Sequence, residues 1–126
     1  RLLATKFDFS PYRKLVDLAG GSGACSIAAC QSNPDLKAVI VDFPNVLAVA
    51  KDVVAREGLS DRISTQPGDI TKDDWPAGDV MLISLIVSGF SRETQLGIFR
   101  KCFEKLPPGG AIVARNDDTV LGAEVQ

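Results

Sequence analysis

Histidine is absent from all 126 residues, and no other feature of the chain excludes as much chemistry. Without an imidazole there is no histidine general base, no Ser-His-Asp arrangement and no histidine-ligated metal site. Cysteine is scarce. Cys25, Cys30 and Cys102 are odd in number and lack the Cys-x-x-Cys spacing of a zinc or redox centre, so they read as buried, reduced thiols of a cytoplasmic protein and no metal is expected. No apolar run reaches the roughly 20 residues of a membrane-spanning helix. The opening Arg1-Leu2-Leu3-Ala4-Thr5-Lys6 turns polar too soon for a secretory signal, and a start at Arg rather than Met suggests a fragment. Blocks of like charge are missing as well. Fourteen Lys plus Arg against sixteen Asp plus Glu leave a net charge of -2, with no clustered basic face for nucleic-acid phosphates.

What is present is an ordinary folding composition, 45% apolar and 24% charged, at a length that makes one domain. Lys14–Leu18 reads as a buried strand that stops at Ala19-Gly20-Gly21-Ser22-Gly23. Small and apolar residues over 22–32 predict a helix ending before Pro34. Lys37–Asp42 is a β-branched second strand. Pro44 starts a second helix over 44–57 with an apolar face of Val46, Val49, Ala50, Val53 and Val54. Residues 62–66 form a third strand, and 80–87 a fourth that is apolar on both faces. Ser91 caps a helix to Leu106 whose inward side is expected to be Leu96, Phe99, Cys102 and Phe103. Residues 111–114 supply a fifth strand after Pro107-Pro108-Gly109-Gly110.

Strands alternating with helices predict an α/β fold: a Rossmann-like, open, mostly parallel sheet of order 3-2-1-4-5 with helices on both faces. Its core is expected around Val16, Val39, Val41, Leu82, Ile83, Leu85 and Val113. Residues 119–126 look too short for a closing antiparallel hairpin, so the domain is expected to be truncated there.

In such sheets a ligand sits beyond the carboxyl ends of the strands. Gly20, Gly21 and Gly23 occupy the first strand-to-helix turn, where glycine permits positive φ and lets the backbone approach a cofactor. Asp42 ends the second strand about twenty residues later, where a carboxylate can accept both hydroxyls of a ribose. The loop is not a dinucleotide fingerprint, because Gly21-Ser22-Gly23-Ala24-Cys25-Ser26 carries serine at the third glycine place. Asp17, in the strand before the loop, favours a cationic over a phosphate-bearing cofactor. Asp69 in Gly68-Asp69-Ile70 adds an acceptor suited to an adenine amino group.

Val16-Asp17-Leu18-Ala19-Gly20-Gly21-Ser22-Gly23, Val41-Asp42-Phe43-Pro44-Asn45-Val46, Gly68-Asp69-Ile70 and Leu106-Pro107-Pro108-Gly109-Gly110 together resemble the ordered motifs of class I S-adenosylmethionine-dependent methyltransferases. Within that class the chain is similar to small-molecule O-methyltransferases of the caffeate and acetylserotonin type, over residues 8–116. The resemblance implies S-adenosylmethionine as cofactor. It assigns the methionine moiety to the glycine loop and Asp17, the ribose to Asp42, and the adenine to Phe43, Asp69 and Ile70, with Ser84 also in the cofactor set. It further implies a small-molecule methyl acceptor and a homodimer built by an N-terminal helical domain, with this domain a fragment of the longer enzyme.

The same resemblance locates a departure. The family's proton relay is a histidine after the fourth strand and a glutamate ending the fifth; Ser88 and Asn116 stand at those places. A serine without a base of its own cannot take a proton near neutral pH. Ser84 stands where a basic residue is common, and Ala19 where a glycine is. Four readings follow: methyl transfer to an acceptor that needs no strong base; methyl transfer with Asp117 or Asp118 as base; a cofactor-binding or dimerisation module without chemistry; and, more remotely, an NAD-dependent oxidoreductase.

Overall fold

A computed structural model describes residues 7–84, 90–116 and 119–124. In chain order its elements are β1 (Lys14–Leu18), α1 (Ala24–Ser32), β2 (Lys37–Asp42), α2 (Pro44–Arg56), β3 (Ile63–Pro67), β4 (Val80–Ser84), α3 (Arg92–Lys105), β5 (Ala111–Asn116) and β6 (Thr119–Glu124). They build one sheet of order β3-β2-β1-β4-β5-β6, parallel from β3 to β5. The expected parallel order is therefore present. One expectation is corrected: β6 pairs antiparallel with β5, from Asn116 opposite Thr119 to Ala111 opposite Glu124. Six residues are enough for that ladder, because β5 already presents an ordered edge to pair with.

Period-2 alternation sorts the strand residues onto two faces. Leu15, Ala38, Ile40, Val80, Leu82 and Val113 pack with Ile27 and Cys30 of α1 and Leu47, Ala50 and Val54 of α2. Val16, Val39, Val41, Met81, Ile83 and Ile112 pack with Ile98, Cys102 and Leu106 around α3, joined by Trp75 from the β3–β4 connection. Of the expected core residues, Leu85 lies outside the described residues and the other six are buried.

The helix faces are corrected. On α2 the buried residues are Leu47, Ala50 and Val54, spaced i, i+3, i+7, and Val49 is 56% exposed because it falls off that stripe. On α3 they are Ile98 and Cys102, whereas Leu96 and Phe103 are about half exposed. That helix is turned so that Lys101 and Lys105 lean over the connection before β4. Lys101 Nζ donates to the Asp73 carbonyl at 2.8 Å and lies 4.5 Å above the Trp75 ring, while Lys105 meets Asp74 at 2.6 Å. Ser91 caps α3 as expected, its Oγ accepting from the Thr94 amide at 3.1 Å. At the other end of the sheet Arg62 Nη2 lies within 2.6–2.9 Å of the carbonyls of Cys30, Asn33 and Leu36, satisfying the end of α1.

A candidate cofactor site at the carboxyl edge of the sheet

Among the described residues the buried polar side chains are Asp17, Ser26 and Asp42, and all three meet at one place. Buried polar groups cost free energy unless paired, so their clustering marks a site. Backbone bonds bring the ends of β1, β2 and β3 together there. The Ala19 amide donates to the Val41 carbonyl at 2.8 Å, and the Gly68 amide to the Asp42 carbonyl at 3.0 Å.

The glycine loop closes as a turn, Gly23 N–H to Gly20 carbonyl at 3.1 Å, and Gly23 then opens α1 with φ 83°. Gly20 has a different reason to be glycine. A Cβ there would lie 2.6 Å from Asp17 Cγ, so the loop rests directly on that carboxylate. Asp17 is 1% exposed and accepts from the Ser26 hydroxyl at 2.6 Å. Burial raises its pKa to about 6, the Ser26 hydrogen bond opposes the rise, and the charge of Asp42 adds to it. The acid that the resemblance gives to the methionine moiety thus supports the loop from beneath. Ser26, at the third glycine place, is what sequence reasoning missed: its hydroxyl holds the buried acid.

Asp42, 9% exposed, faces the other side of the loop. Its Oδ2 accepts from the Gly21 amide at 3.0 Å and its Oδ1 from the Phe43 amide at 2.8 Å. A carboxylate offers about four acceptor positions, which leaves capacity for two more hydroxyl donors. Beside it a small cleft is lined by Ala19, Val41, Phe43, Asp69, Ile70 and Phe90. Of its lining, Phe43 is half exposed and Ile70 is buried. Asp69 Oδ1 accepts from both the Thr71 hydroxyl at 2.6 Å and the Thr71 amide at 2.9 Å, which hold its pKa below the usual carboxylate range. A carboxylate with spare acceptor positions, apolar side chains and an acidic rim are the residue types that could hold an adenosyl group. Phe90 is a second residue that sequence reasoning did not assign.

The structure thus brings Asp17, Gly20, Gly21, Gly23, Asp42, Phe43, Asp69 and Ile70 to one edge. Ser84 ends β4 at the same edge of the sheet, paired in register with Arg115, and Asn116 is the last residue of β5. Ser88, Asp117 and Asp118 lie outside the described residues. A larger cleft, ≈ 440 Å³, opens near Arg13, Lys14, Lys37 and Arg62. It is at the amino ends of β1–β3, opposite the edge where open α/β sheets bind ligands.

The chain's similarity to known proteins agrees with this geometry. A family model described as O-methyltransferase domain matches residues 1–124. The chain is 35% identical over 114 residues to 3-hydroxy-5-methyl-1-naphthoate 3-O-methyltransferase of Streptomyces sahachiroi, covering 90% of this chain and 33% of that protein. It is 34% identical over 115 residues to L-tyrosine C(3)-methyltransferase of Streptomyces lavendulae, covering 90% and 31%. Among solved structures, the S-adenosylmethionine-dependent methyltransferase SibL superposes with a TM-score of 0.83 at 30% identity, covering 90% of this chain and 33% of that one. The chain therefore spans about a third of the length of the relatives it matches. No helix among the described residues is long and apolar enough to cross a membrane. This chain belongs to the O-methyltransferase domain family, whose cofactor is S-adenosylmethionine.

Proposed function

We propose that this chain supplies the cofactor-binding part of a methyltransferase that acts on a small aromatic acceptor bearing a carboxylate, one that needs no strong base. The cofactor half is supported by the Asp42–Gly21 hydrogen bond beside a small apolar cleft, where an acid with spare acceptor positions lies next to apolar side chains. The acceptor half is supported by the relatives, since naphthoate and L-tyrosine are both aromatic carboxylates.

When bound, S-adenosylmethionine supplies a methyl group on a positively charged sulfur. The chain's own residues do the rest by position. Asp42 holds hydroxyls, Phe43, Ile70 and Phe90 wall the adenine, and Asp17 with Ser26 keeps the loop in place beneath it. With no histidine in the chain and Ser88 and Asn116 at the relay positions, rate enhancement comes from holding donor and acceptor in line. Acidic phenols, amines and activated ring carbons are the acceptors such a site serves. Asp117 and Asp118 are the carboxylates to test if a high-pKa hydroxyl proves to be a substrate. Cofactor binding without transfer is the second reading, favoured by the same two departures.

Assembly as a homodimer belongs to this proposal, and light scattering tests it. So does a cytoplasmic location, supported by the free thiols of Cys25, Cys30 and Cys102. The function is tested by incubating the protein with methyl-labelled S-adenosylmethionine and a panel of hydroxybenzoates, aminobenzoates and aromatic amino acids. Label in an acceptor supports it; cofactor binding with no labelled acceptor supports the second reading.

A further inference from the structure

We propose that Arg115, at the carboxyl end of β5, binds a ligand carboxylate at the edge of the sheet where the glycine loop lies. This rests on the methyl-transfer reading and names a group it needs. Ser84 and Arg115 are partners in the parallel β4–β5 ladder, so the two positions belong to one spot on the sheet. Ala111 and Val113 precede Arg115 on its face of β5 and pack with Leu15 and Leu82 on the side covered by α1. Period-2 alternation therefore puts Arg115 on the same face as Asp17 in β1, at the edge where the glycine loop lies.

Two further observations point to an anion. First, Arg115 is half-buried, yet no carboxylate among the described residues lies within 4.0 Å of it. The guanidinium's fork of donors matches a carboxylate in two parallel bonds. Asp17, the acid on the same face, is already engaged by Ser26. Second, the charge of Arg115 is felt at Cys25, the second residue of α1. Burial pushes that thiol up and Asp17 adds to the rise, while Arg115 works the other way. Arg115 thus stands near the amino end of α1, whose free amides and dipole also favour a negative group. Two carboxylates could come here: the one on the amino-acid part of the cofactor, or one on an aromatic acceptor.

Calorimetry on the protein and its Arg115→Gln and Arg115→Lys variants separates them, using S-adenosylhomocysteine, 5′-methylthioadenosine, 4-hydroxybenzoate and methyl 4-hydroxybenzoate. If the cofactor carboxylate is the partner, Arg115→Gln weakens S-adenosylhomocysteine at least tenfold and leaves 5′-methylthioadenosine unchanged. If the acceptor carboxylate is the partner, 4-hydroxybenzoate weakens at least tenfold, and its methyl ester and S-adenosylhomocysteine are unchanged. Arg115→Lys, which keeps the charge and loses the fork, falls between. The proposal is overturned if neither carboxylate ligand weakens tenfold, or if the carboxylate-free ligands weaken equally. Failure of the unmodified protein to bind S-adenosylhomocysteine counts against the methyl-transfer reading itself, and Arg115 is then judged on 4-hydroxybenzoate alone.

Discussion

The Gly21 amide donates to Asp42 Oδ2 at 3.0 Å, so the acid that ends β2 fixes the loop that follows β1. In the proposed function this one carboxylate has two duties, holding the loop and receiving hydroxyls. Replacing Asp42 by Ala removes both, and hydrogen bonds to a charged group are worth about 1.5–3 kcal/mol. Affinity for S-adenosylhomocysteine should fall roughly 10- to 150-fold by calorimetry. An unchanged affinity would remove Asp42 from the site.

Asp17 gives the fold a pH dependence of definite sign. Its pKa in the fold is about 6, raised chiefly by burial, against an unfolded value near 3.9. The folded state then holds the extra proton, so this contribution to stability is present below about pH 4 and lost as pH rises through 6, by about 3 kcal/mol. Asp17→Asn cannot ionise and can still accept from Ser26. Thermal melts should show the variant more stable than the unmodified protein at pH 7.5, with the difference closing towards pH 4. A difference that does not change with pH would contradict this.

Ala19 has φ 56°, the one positive value among the described non-glycine residues. The left-handed conformation costs an L-residue about 1–2 kcal/mol, and glycine returns about 0.4–1 of that through the freedom of its unfolded chain. Ala19→Gly should therefore stabilise the protein by about 0.5–1 kcal/mol, seen as a higher denaturant midpoint at unchanged slope. A lower midpoint would show that the methyl group packs usefully.

Gly97 and Gly20 should respond oppositely to the same substitution. Nothing lies within 4 Å of a Cβ at Gly97, in the middle of α3, so Gly97→Ala should add about 0.5–1 kcal/mol through helix propensity. At Gly20 the new Cβ meets the Asp17 carboxylate at 2.6–2.8 Å, and the loop must move. Gly20→Ala should weaken S-adenosylhomocysteine at least tenfold in the same titration that leaves Gly97→Ala unaffected. Equal effects at both positions would contradict the loop geometry.

How much was legible beforehand follows from which forces are local. The bounds of β1 and β2 stand in the sequence because each is a short apolar run between breakers, and α2 starts at Pro44 as its ring geometry requires. The side that α3 buries was legible in part: Cys102 and Phe99 face the core as expected, whereas Leu96 and Phe103 point outward on a helix whose Lys101 and Lys105 pair with the 73–75 segment. β6 was missed because its ladder needs the β5 edge, which no local pattern contains. At the site, Asp42 and the glycines carry a spacing signal. Ser26 and Arg115 do not: the first matters through Asp17 nine residues away, the second through its register with Ser84.

In the proposed function the edge formed by the glycine loop, Asp42 and the Phe43–Ile70 cleft takes the adenosyl part of a methyl donor. Titrating the unmodified protein with S-adenosylhomocysteine and, separately, with NAD tests it most directly. One S-adenosylhomocysteine per chain, with no heat from NAD, is the expected result. Binding of NAD without binding of S-adenosylhomocysteine would instead make this edge a dinucleotide site.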